Sequence, residues 1–395
     1  MAGPLVVVAG ALANKPANGG EAWVRLSWVR GLERLGCRVA LVEEIAEASC
    51  TDTARRPAVF AASVNRAWFA DVTARFGLTG RAGLVCDNGE GEGLTRAEVA
   101  DLAAGADLLV NISGHLADPE LFGAFRRRAY VDIDPGFTQF WHAAGQNGAR
   151  LAGHHRYFTI GELIGDFGCP IPVGEFRWRP TRQPVVLDDW PATDHHPAGG
   201  AATPAATRFT TVASWRGPFG PVETDRRRFG LKVHEFRKFL PLPGLVSGAR
   251  FEAALAIHPE ERPDLALLHD GGWALADPTR VAGTPDAFRD YVAGSAAEFS
   301  AAQGIYVETR SGWFSDRTTR YLASGRPALV QDTGFSEIIP VGKGLVAFST
   351  LEEAAAGARS ILADYDCHAA AARLLAESYF DSDLVLTRFL EECDL

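Results

Sequence analysis

The fold is decided by residues 5–42, LVVVAGALANKPANGGEAWVRLSWVRGLERLGCRVALV. A short apolar run opens this stretch, a glycine-containing loop follows, and apolar residues then recur at helical spacing over 21–35 until Gly36 ends the pattern. A second apolar run begins at Cys37. The order predicts a strand, a helix and a second strand, and such a βαβ unit implies a parallel sheet.

Short apolar runs of the same kind recur along the chain. Those of the first half end near Asp, Asn or Gly, which is typical of buried parallel strands that lead into functional loops. A second alternating series begins at Arg208 and includes a helix predicted over 315–324. The runs lie at 83–86, 107–112 and 129–133 in the first half, and at RFTTVASW (208–215), DLALLHDGG (264–272), GIYVET (304–309) and PALVQDTG (327–334) in the second.

The length and the composition of one segment indicate two domains. A chain of 395 residues exceeds what one hydrophobic core usually serves. Residues 181–207 are rich in Pro, Ala, Gly and Thr and show little apolar periodicity, so we place the linker there. We therefore predict two α/β domains that face each other across a cleft, one over 1–200 and one over 208–395 that ends in closing helices.

Charge and composition exclude several classes of protein. The net charge is −10 with no long basic block, which argues against nucleic acid as a partner. The apolar start at 5–8 is too short for a signal peptide and no apolar run approaches about 18 residues, so a cytoplasmic protein without a membrane span is expected. Six scattered cysteines form no CxxC pair, and we expect reduced thiols and no bound metal or other cofactor.

The segment RSGWFSDRTTRYLASGRP (310–327) is the most informative for function. Ser315 is suited to cap a helix, Asp316 suits its first turn, and glycine and proline end it at 325–327. A helix that begins after a glycine turn offers backbone N–H groups and the positive end of its dipole to an anion. Arg310 and Arg317 could add charge, so we predict that a diphosphate binds here.

The residues Gly312-Trp313-Phe314-Ser315 resemble the GWxS core of the donor signature of GT-B nucleotide-sugar glycosyltransferases. The resemblance implies two Rossmann-like domains, with a nucleotide-sugar donor bound to the C-terminal domain and an acceptor held by the N-terminal domain. Arg310 stands where that signature has a phosphate-binding histidine, and Asp332 where an acidic residue touches sugar hydroxyls. The donor-binding residues implied are Arg310, Gly312, Trp313, Ser315, Asp316, Arg317, Thr318, Asp332, Thr333 and Gly334.

The loop before the first helix carries a second resemblance. Gly19 and Gly20 are similar to the paired glycines of retaining GT-B members, where that loop approaches the donor phosphate or the acceptor. One feature departs from the family. Thr318 and Arg320 occupy the two positions where a ribose-binding glutamate is expected, so no ribose ligand is assigned.

Three side chains of the N-terminal half are candidates for catalysis. His115 follows a predicted strand, and its ordinary pKa of about 6.5 would suit it as the base, although a structural role is equally open. Asp134 also follows a strand and would need a raised pKa, and Glu21 is the third candidate. Asp132 and Asp134 form a DxD pattern, for which an acceptor-side or turn-capping role is preferred to metal binding. The pair His195-His196 in the linker suggests no site.

These observations predict a metal-independent, hexosyltransferase-like glycosyltransferase of the bacterial natural-product or sugar-transfer type. It would move sugar from a nucleoside diphosphate to a small-molecule or glycan acceptor, and a homodimer is possible. Two alternatives remain open at this point. One is a GT-B sugar-nucleotide 2-epimerase, and the other is a catalytically silent nucleotide-sugar binding protein.

Overall fold

The computed structural model describes residues 3–192, 207–217, 219–224 and 227–395. Its first half contains an eight-stranded sheet in the order β4-β3-β2-β1-β5-β6-β7-β8, in which only the β3–β4 pair is antiparallel. Its strands are β1 (Leu5–Ala9), β2 (Arg38–Ile45), β3 (Ala82–Cys86), β4 (Gly91–Gly93), β5 (Leu108–Ile112), β6 (Arg128–Asp132), β7 (Arg156–Thr159) and β8 (Trp178–Pro180). The helices of this half are α1 (Gly19–Arg34), α2 (Val64–Arg75), α3 (Arg96–Gly105), α4 (Pro119–Ala124) and α5 (Phe137–Ala143).

The second half contains a parallel sheet of six strands in the order β13-β12-β9-β14-β15-β16 and a separate hairpin, β10 with β11. The strands are β9 (Arg208–Ser214), β10 (Glu223–Thr224), β11 (Arg227–Arg228), β12 (Arg250–Ala256), β13 (Ala274–Ala276), β14 (Ala297–Ser300), β15 (Ala328–Gln331) and β16 (Leu345–Phe348). The helices are α6 (Lys232–Phe236), α7 (Leu242–Leu245), α8 (Arg262–Asp270), α9 (Pro278–Ala282), α10 (Pro285–Ala293), α11 (Gly304–Thr309), α12 (Asp316–Ala323), α13 (Leu351–Ala363), α14 (Tyr365–Tyr379) and α15 (Ser382–Glu392).

The βαβ unit predicted from the first residues is confirmed. Asn18 caps α1 by accepting a hydrogen bond from the Glu21 amide at 3.2 Å, and the chain turns at Gly36 with φ +82° before β2 begins. The helix is buried over most of its surface rather than on one face, because it packs against the sheet, α10 and α15. The amphipathic pattern predicts one buried face for α1, whereas most of its residues are buried.

Two predictions in the second half are wrong. The runs at 264–272 and 304–309 are helical, as α8 and α11, and the sheet instead uses β12 and β14. In α8 the buried positions are Asp264 and Leu268, four residues apart, whereas Leu267 is exposed. A short apolar run fits the residue spacing of a helix and that of a strand equally well. Which of the two forms therefore depends on contacts with the rest of the fold.

One of the apolar clusters spans both halves of the chain. Trp23 of α1 packs edge-on against Trp190 with ring centroids 5.1 Å apart, and Trp190 packs against Phe288 of α10 at 6.0 Å. The indole nitrogen of Trp23 also donates to the Pro285 carbonyl at 2.8 Å. At the end of the chain, α15 returns to the first half and places Phe389 against Trp28 of α1. These contacts hold the two sheets in a defined relative position.

The predicted linker lies between the last strand of the first sheet and β9. Residues 193–206 of it, which include His195 and His196, lie outside the described residues, so its boundaries stay a prediction. The part before residue 193 is packed. The Val185 amide donates to the Phe380 carbonyl at 2.8 Å, and the Ser382 amide donates to the Val185 carbonyl at 2.9 Å. Within the described part of the chain, no helix has the length and hydropathy needed to cross a membrane.

Gly19→Ala should destabilise the fold because Gly19 touches the backbone of the other half. A Cβ atom there would lie 2.0 Å from the Thr284 carbonyl oxygen. Overpacking of this kind costs about 1–3 kcal/mol, which urea unfolding would measure. The matched control is Gly123→Ala in α4, where a Cβ meets nothing within 4 Å and should be neutral or stabilising. Equal unfolding midpoints for wild type and Gly19→Ala would contradict the expected clash.

Candidate active site

A cavity of about 330 Å³ opens between the two sheets. Its lining comes from segments that follow strands β1, β5 and β6 of the first sheet and β9 and β14 of the second. Open parallel sheets place ligands beyond the carboxyl ends of their strands, where the order of the strands reverses. Of the residues proposed from the sequence, the lining includes Glu21, His115, Asp134, Trp313, Ser315, Asp316 and Arg317.

The loop after β1 is held open by a buried carboxylate. The amides of Leu12, Ala13 and Asn14 all donate to Glu43, which lies in β2, two residues before its end. This arrangement presents Lys15 to the cavity, and the start of α1 follows with Glu21. Three backbone donors give the carboxylate a structural role, although burial raises its pKa to about 7.

Glu21 forms an ion pair with Arg25, one turn further along α1. Arg25 lines the cavity although only 2% of its surface is exposed, and its Nε has no hydrogen-bond partner among the described residues. Burial raises the pKa of Glu21, but the charges of Arg25 and Lys15 outweigh that effect and lower it. Glu21 is therefore an ionised carboxylate at neutral pH.

The two carboxylates of the DxD pattern have separate roles. Asp132 is fully buried and accepts hydrogen bonds from Thr138, Gln139 and Thr159 at 2.7–2.8 Å, so it organises the turn after β6. Asp134 lines the cavity. Burial, then the charge of Asp132, raises the pKa of Asp134 to about 7. The raised pKa that Asp134 needs for proton transfer near neutral pH is thus present.

His115 lines the cavity, but the premise that favoured it as the base is wrong. Burial, followed by the charges of Arg25, Arg150 and Lys15, lowers its pKa to about 3. A neutral imidazole with so low a pKa is a poor proton acceptor at pH 7, although it can still form hydrogen bonds. The structure therefore reverses the order of preference between His115 and Asp134.

The opposite wall is formed by the N-terminus of α12. Ser315 caps this helix by accepting from the Arg317 amide at 3.2 Å, as the sequence predicted, and Asp316 follows in the first turn. The Arg317 guanidinium is fixed by Glu298 at 2.6 Å and by Ser300 and the Val212 carbonyl at 2.7 Å. A helix N-terminus and a positioned guanidinium are thus brought together at the cavity.

Sequence reasoning missed Lys232, at the start of α6. Its side chain is 9% exposed and lines the cavity, and Nζ donates to the Ala301 carbonyl at 2.9 Å. Burial, then the charge of Arg317, lowers its pKa to about 7. A buried cation beside another cation is stabilised when an anion binds, so Lys232 and Arg317 form a pair suited to phosphate. No sequence motif marks Lys232.

Other predicted donor residues do not line this cavity. Arg310 follows a helix rather than the predicted strand, adopts φ +48°, and pairs with Glu337 and, at 3.9 Å, with Asp332. Asp332 accepts from the Gly334 amide and from Ser336, so it caps a turn. The remaining residues in this group are Gly312, Thr318, Thr333 and Gly334. The cavity gives no support to ligand contact by Arg310, and the contacts predicted for this group from the sequence are tested by the Arg310→Ala variant below.

The paired glycines also lie away from the cavity. Gly19 abuts Thr284, and Gly20 faces the ring of Phe288, both in the second half of the chain. Packing explains the glycine at position 19 without a ligand, whereas a Cβ at position 20 would make only ordinary contacts, 3.5 Å or more from its neighbours. Among the described residues, no three or more His, Cys, Asp or Glu side chains converge as a metal site would need.

The chain resembles solved structures of GT-B enzymes over its whole length. An alpha-glucosyltransferase in complex with UDP and a 13-mer DNA containing an HMU base matches at 10% identity, with 100% of each chain covered and a TM-score of 0.58. Sucrose-phosphate synthase from Thermosynechococcus elongatus matches at 10% identity, with 98% of each chain covered and a TM-score of 0.54. Anabaena HepE in complex with UDP and glucose matches at 11% identity, with 99% of each chain covered and a TM-score of 0.55.

No family model and no curated protein matches the sequence. The structural likeness confirms the predicted fold, which is GT-B with two Rossmann-like domains. The DNA in the first complex is bound by that alpha-glucosyltransferase. Because a protein of similar structure binds DNA, the inference from the net charge of this chain that nucleic acid is not a partner stays a prediction.

Proposed function

We propose that this protein is a glycosyltransferase that moves a sugar from a nucleoside diphosphate sugar to a hydroxyl of an acceptor. The observation that carries the proposal is the pairing of two groups across one cavity. The N-terminus of α12, with Lys232 and Arg317, offers a seat for a diphosphate, and Asp134 offers a base on the facing wall. Sugar transfer needs both a stabilised leaving group and a proton acceptor.

The leaving diphosphate would be bound by the first turn of α12. Its dipole and amides favour an anion, and Lys232 and Arg317 supply charge in a partly desolvated site where electrostatic interactions are strong. Glu298, Ser300 and the Val212 carbonyl already hold Arg317 in place. Because Arg317 is already paired with Glu298, Lys232 is the cation whose charge is free to offset the charge that develops on the leaving group, and this supports metal-independent transfer.

The acceptor hydroxyl would lie beside Asp134. With a pKa of about 7 this carboxylate is partly ionised at neutral pH and can take the proton as the hydroxyl attacks. The Tyr306 hydroxyl interacts with Asp134, and burial followed by that negative charge raises the pKa of the tyrosine. Tyr306 therefore stays protonated and can orient the carboxylate.

UDP is the first nucleotide to test, since the alpha-glucosyltransferase and HepE structures contain it. Transfer of a hexose, an acceptor among small molecules or glycans, a natural-product context, cytoplasmic location and a homodimer are parts of this proposal. The two alternatives, an epimerase and a silent binding protein, gain no support from these structural neighbours.

Turnover of UDP-sugars tests the proposal. We expect UDP release from UDP-glucose or a related donor, with the sugar recovered on an acceptor or on water. Product analysis with donor alone separates transfer from epimerisation, because an epimerase returns an isomer of the donor. A protein that binds UDP and its sugars but releases no UDP with any acceptor would be a binding protein instead.

Binding of UDP should weaken as the pH rises above about 7. Free Lys232 has a pKa of about 7, and a bound diphosphate would raise it, so binding takes up a proton above pH 7. Below pH 7 the ammonium is already formed and this pH dependence disappears. Calorimetric titrations in buffers of different ionisation enthalpy would measure the proton uptake. Binding at pH 8.5 without proton uptake would contradict the role of Lys232.

A further inference from the structure

An aromatic wall lines the cavity between Asp134 and the start of α12. It consists of Trp141, Phe219, Tyr306 and Trp313. Trp313 and Tyr306 stack with centroids 4.3 Å apart and planes 21° from parallel, and Phe219 meets Trp141 edge-on at 4.8 Å. Trp141, Phe219 and Trp313 are each only partly buried. The wall thus leaves aromatic surface available beside the proposed reacting groups.

The lining of the same cavity is also rich in hydrogen-bonding groups. Lys15, Glu21, His115 and Ser113 all line it. The Ser113 Oγ is buried and has no hydrogen-bond partner among the described residues. Ser113 also has φ +54°, a strained conformation for a residue other than glycine, and such strain is typical of functional positions. An unpaired buried hydroxyl in a strained turn indicates that a bound molecule completes the site.

From the aromatic wall and these polar groups we propose that the acceptor is itself a sugar or a similar polyhydroxylated ring. One face of a sugar ring carries C–H groups that pack on aromatic rings, and its edge carries hydroxyls. The aromatic wall would take that apolar face, and Ser113, Glu21 and His115 would take hydroxyls. This inference rests on the proposed function and specifies its acceptor.

A flat phenolic acceptor fits the cavity less well. It could stack on Trp141 or Trp313, but it would bring few hydroxyls to the polar groups. Ser113 and the charged groups would then lose water without gaining partners, and unpaired buried polar groups cost about 1–3 kcal/mol each. A polyol satisfies them. Tyr306 stacks on Trp313 and lines the same cavity as Asp134, so the aromatic wall and the proposed base belong to one site.

Saturation-transfer NMR on the full chain saturated with UDP tests this inference. The probes are glucose, mannose, N-acetylglucosamine and myo-inositol, with 4-methylumbelliferone as the phenolic comparison. We expect saturable binding of at least one polyol, with strongest transfer to C–H protons on one ring face. Binding of 4-methylumbelliferone at the same site, or of none of the probes, would overturn the inference.

Substitutions at two positions separate ligand contact from structural effects. Trp141→Ala should weaken polyol binding at least tenfold, whereas Trp141→Phe keeps a ring and should retain most of it. Ser113→Gly should also weaken binding without lowering the melting temperature, because glycine accepts φ +54° without strain. The control is Phe167→Ala, which removes a fully exposed aromatic side chain outside the cavity lining and should change nothing.

The result for UDP distinguishes two kinds of failure. If UDP binds and no polyol does, or if Trp141→Ala and Ser113→Gly bind the polyol as wild type does, only the acceptor assignment is wrong. If UDP itself does not bind, the proposed function fails and the acceptor assignment fails with it.

Discussion

Asp134→Asn should lower kcat for sugar transfer by about 10²–10⁴ while leaving the affinity for UDP nearly unchanged. The substitution keeps the shape of the side chain and removes its ability to take a proton. Asp134 follows β6 of the first sheet, whereas α12 belongs to the second half of the chain, so the substitution does not alter the proposed diphosphate seat. Steady-state kinetics and UDP titration would measure the two quantities separately.

The pH profile gives the same prediction a second signature. Because burial and the charge of Asp132 raise the pKa of Asp134 to about 7, kcat should rise as the pH passes through that value in wild type. The rise should be absent in Asp134→Asn. His115→Ala is the comparison, and its loss should be smaller because a pKa of about 3 makes His115 a poor base. A larger loss in His115→Ala would restore the assignment first made from the sequence.

Lys232→Met should weaken UDP binding by about 10- to 150-fold, which corresponds to roughly 1.5–3 kcal/mol for a charge-assisted contact. Methionine keeps the apolar stem of the side chain and removes a buried cation that lies beside Arg317. The fold should therefore survive, since Lys232 donates only to the Ala301 carbonyl among the described residues. Unfolding in urea would verify this before binding is compared.

Arg310→Ala is the matched control for that variant. Arg310 was the first phosphate ligand proposed from the sequence, but it pairs with Glu337 and does not line the cavity. We therefore expect its loss to leave UDP affinity unchanged. If Arg310→Ala weakened UDP binding strongly and Lys232→Met did not, the diphosphate would bind near Arg310 and not in the cavity beside Lys232.

Much of the fold could be predicted because strands and helices in the first half follow clear patterns. The runs at 264–272 and 304–309 could not, since their few apolar residues fit either period and burial of Asp264 depends on Trp215 and Arg237 from distant segments. The fold could nevertheless be predicted, because the GWxS segment resembles a GT-B signature and the helix predicted after it corresponds to α12.

The site was predicted only in part. Asp134 and His115 were found because they follow strands at the edge where ligands bind. Their relative suitability depends on burial and on charges such as Arg25 and Arg150, which no local pattern reveals. Lys232 is held at the cavity by a hydrogen bond to the Ala301 carbonyl, 69 residues away in sequence. Trp141 and Phe219 come into contact only in the folded chain. Spacing alone could not bring these residues together.

The most direct test of the account is a thermal-shift titration of UDP, GDP and dTDP with EDTA present and again with magnesium. We predict that one of the three stabilises the protein without metal, since a ligand at 100 times its Kd adds about 2.7 kcal/mol to the free energy of unfolding. The same nucleotide should give a much smaller shift with Lys232→Met. Absence of any shift from all three nucleotides, with and without magnesium, would contradict the proposal that this cavity binds a nucleotide sugar.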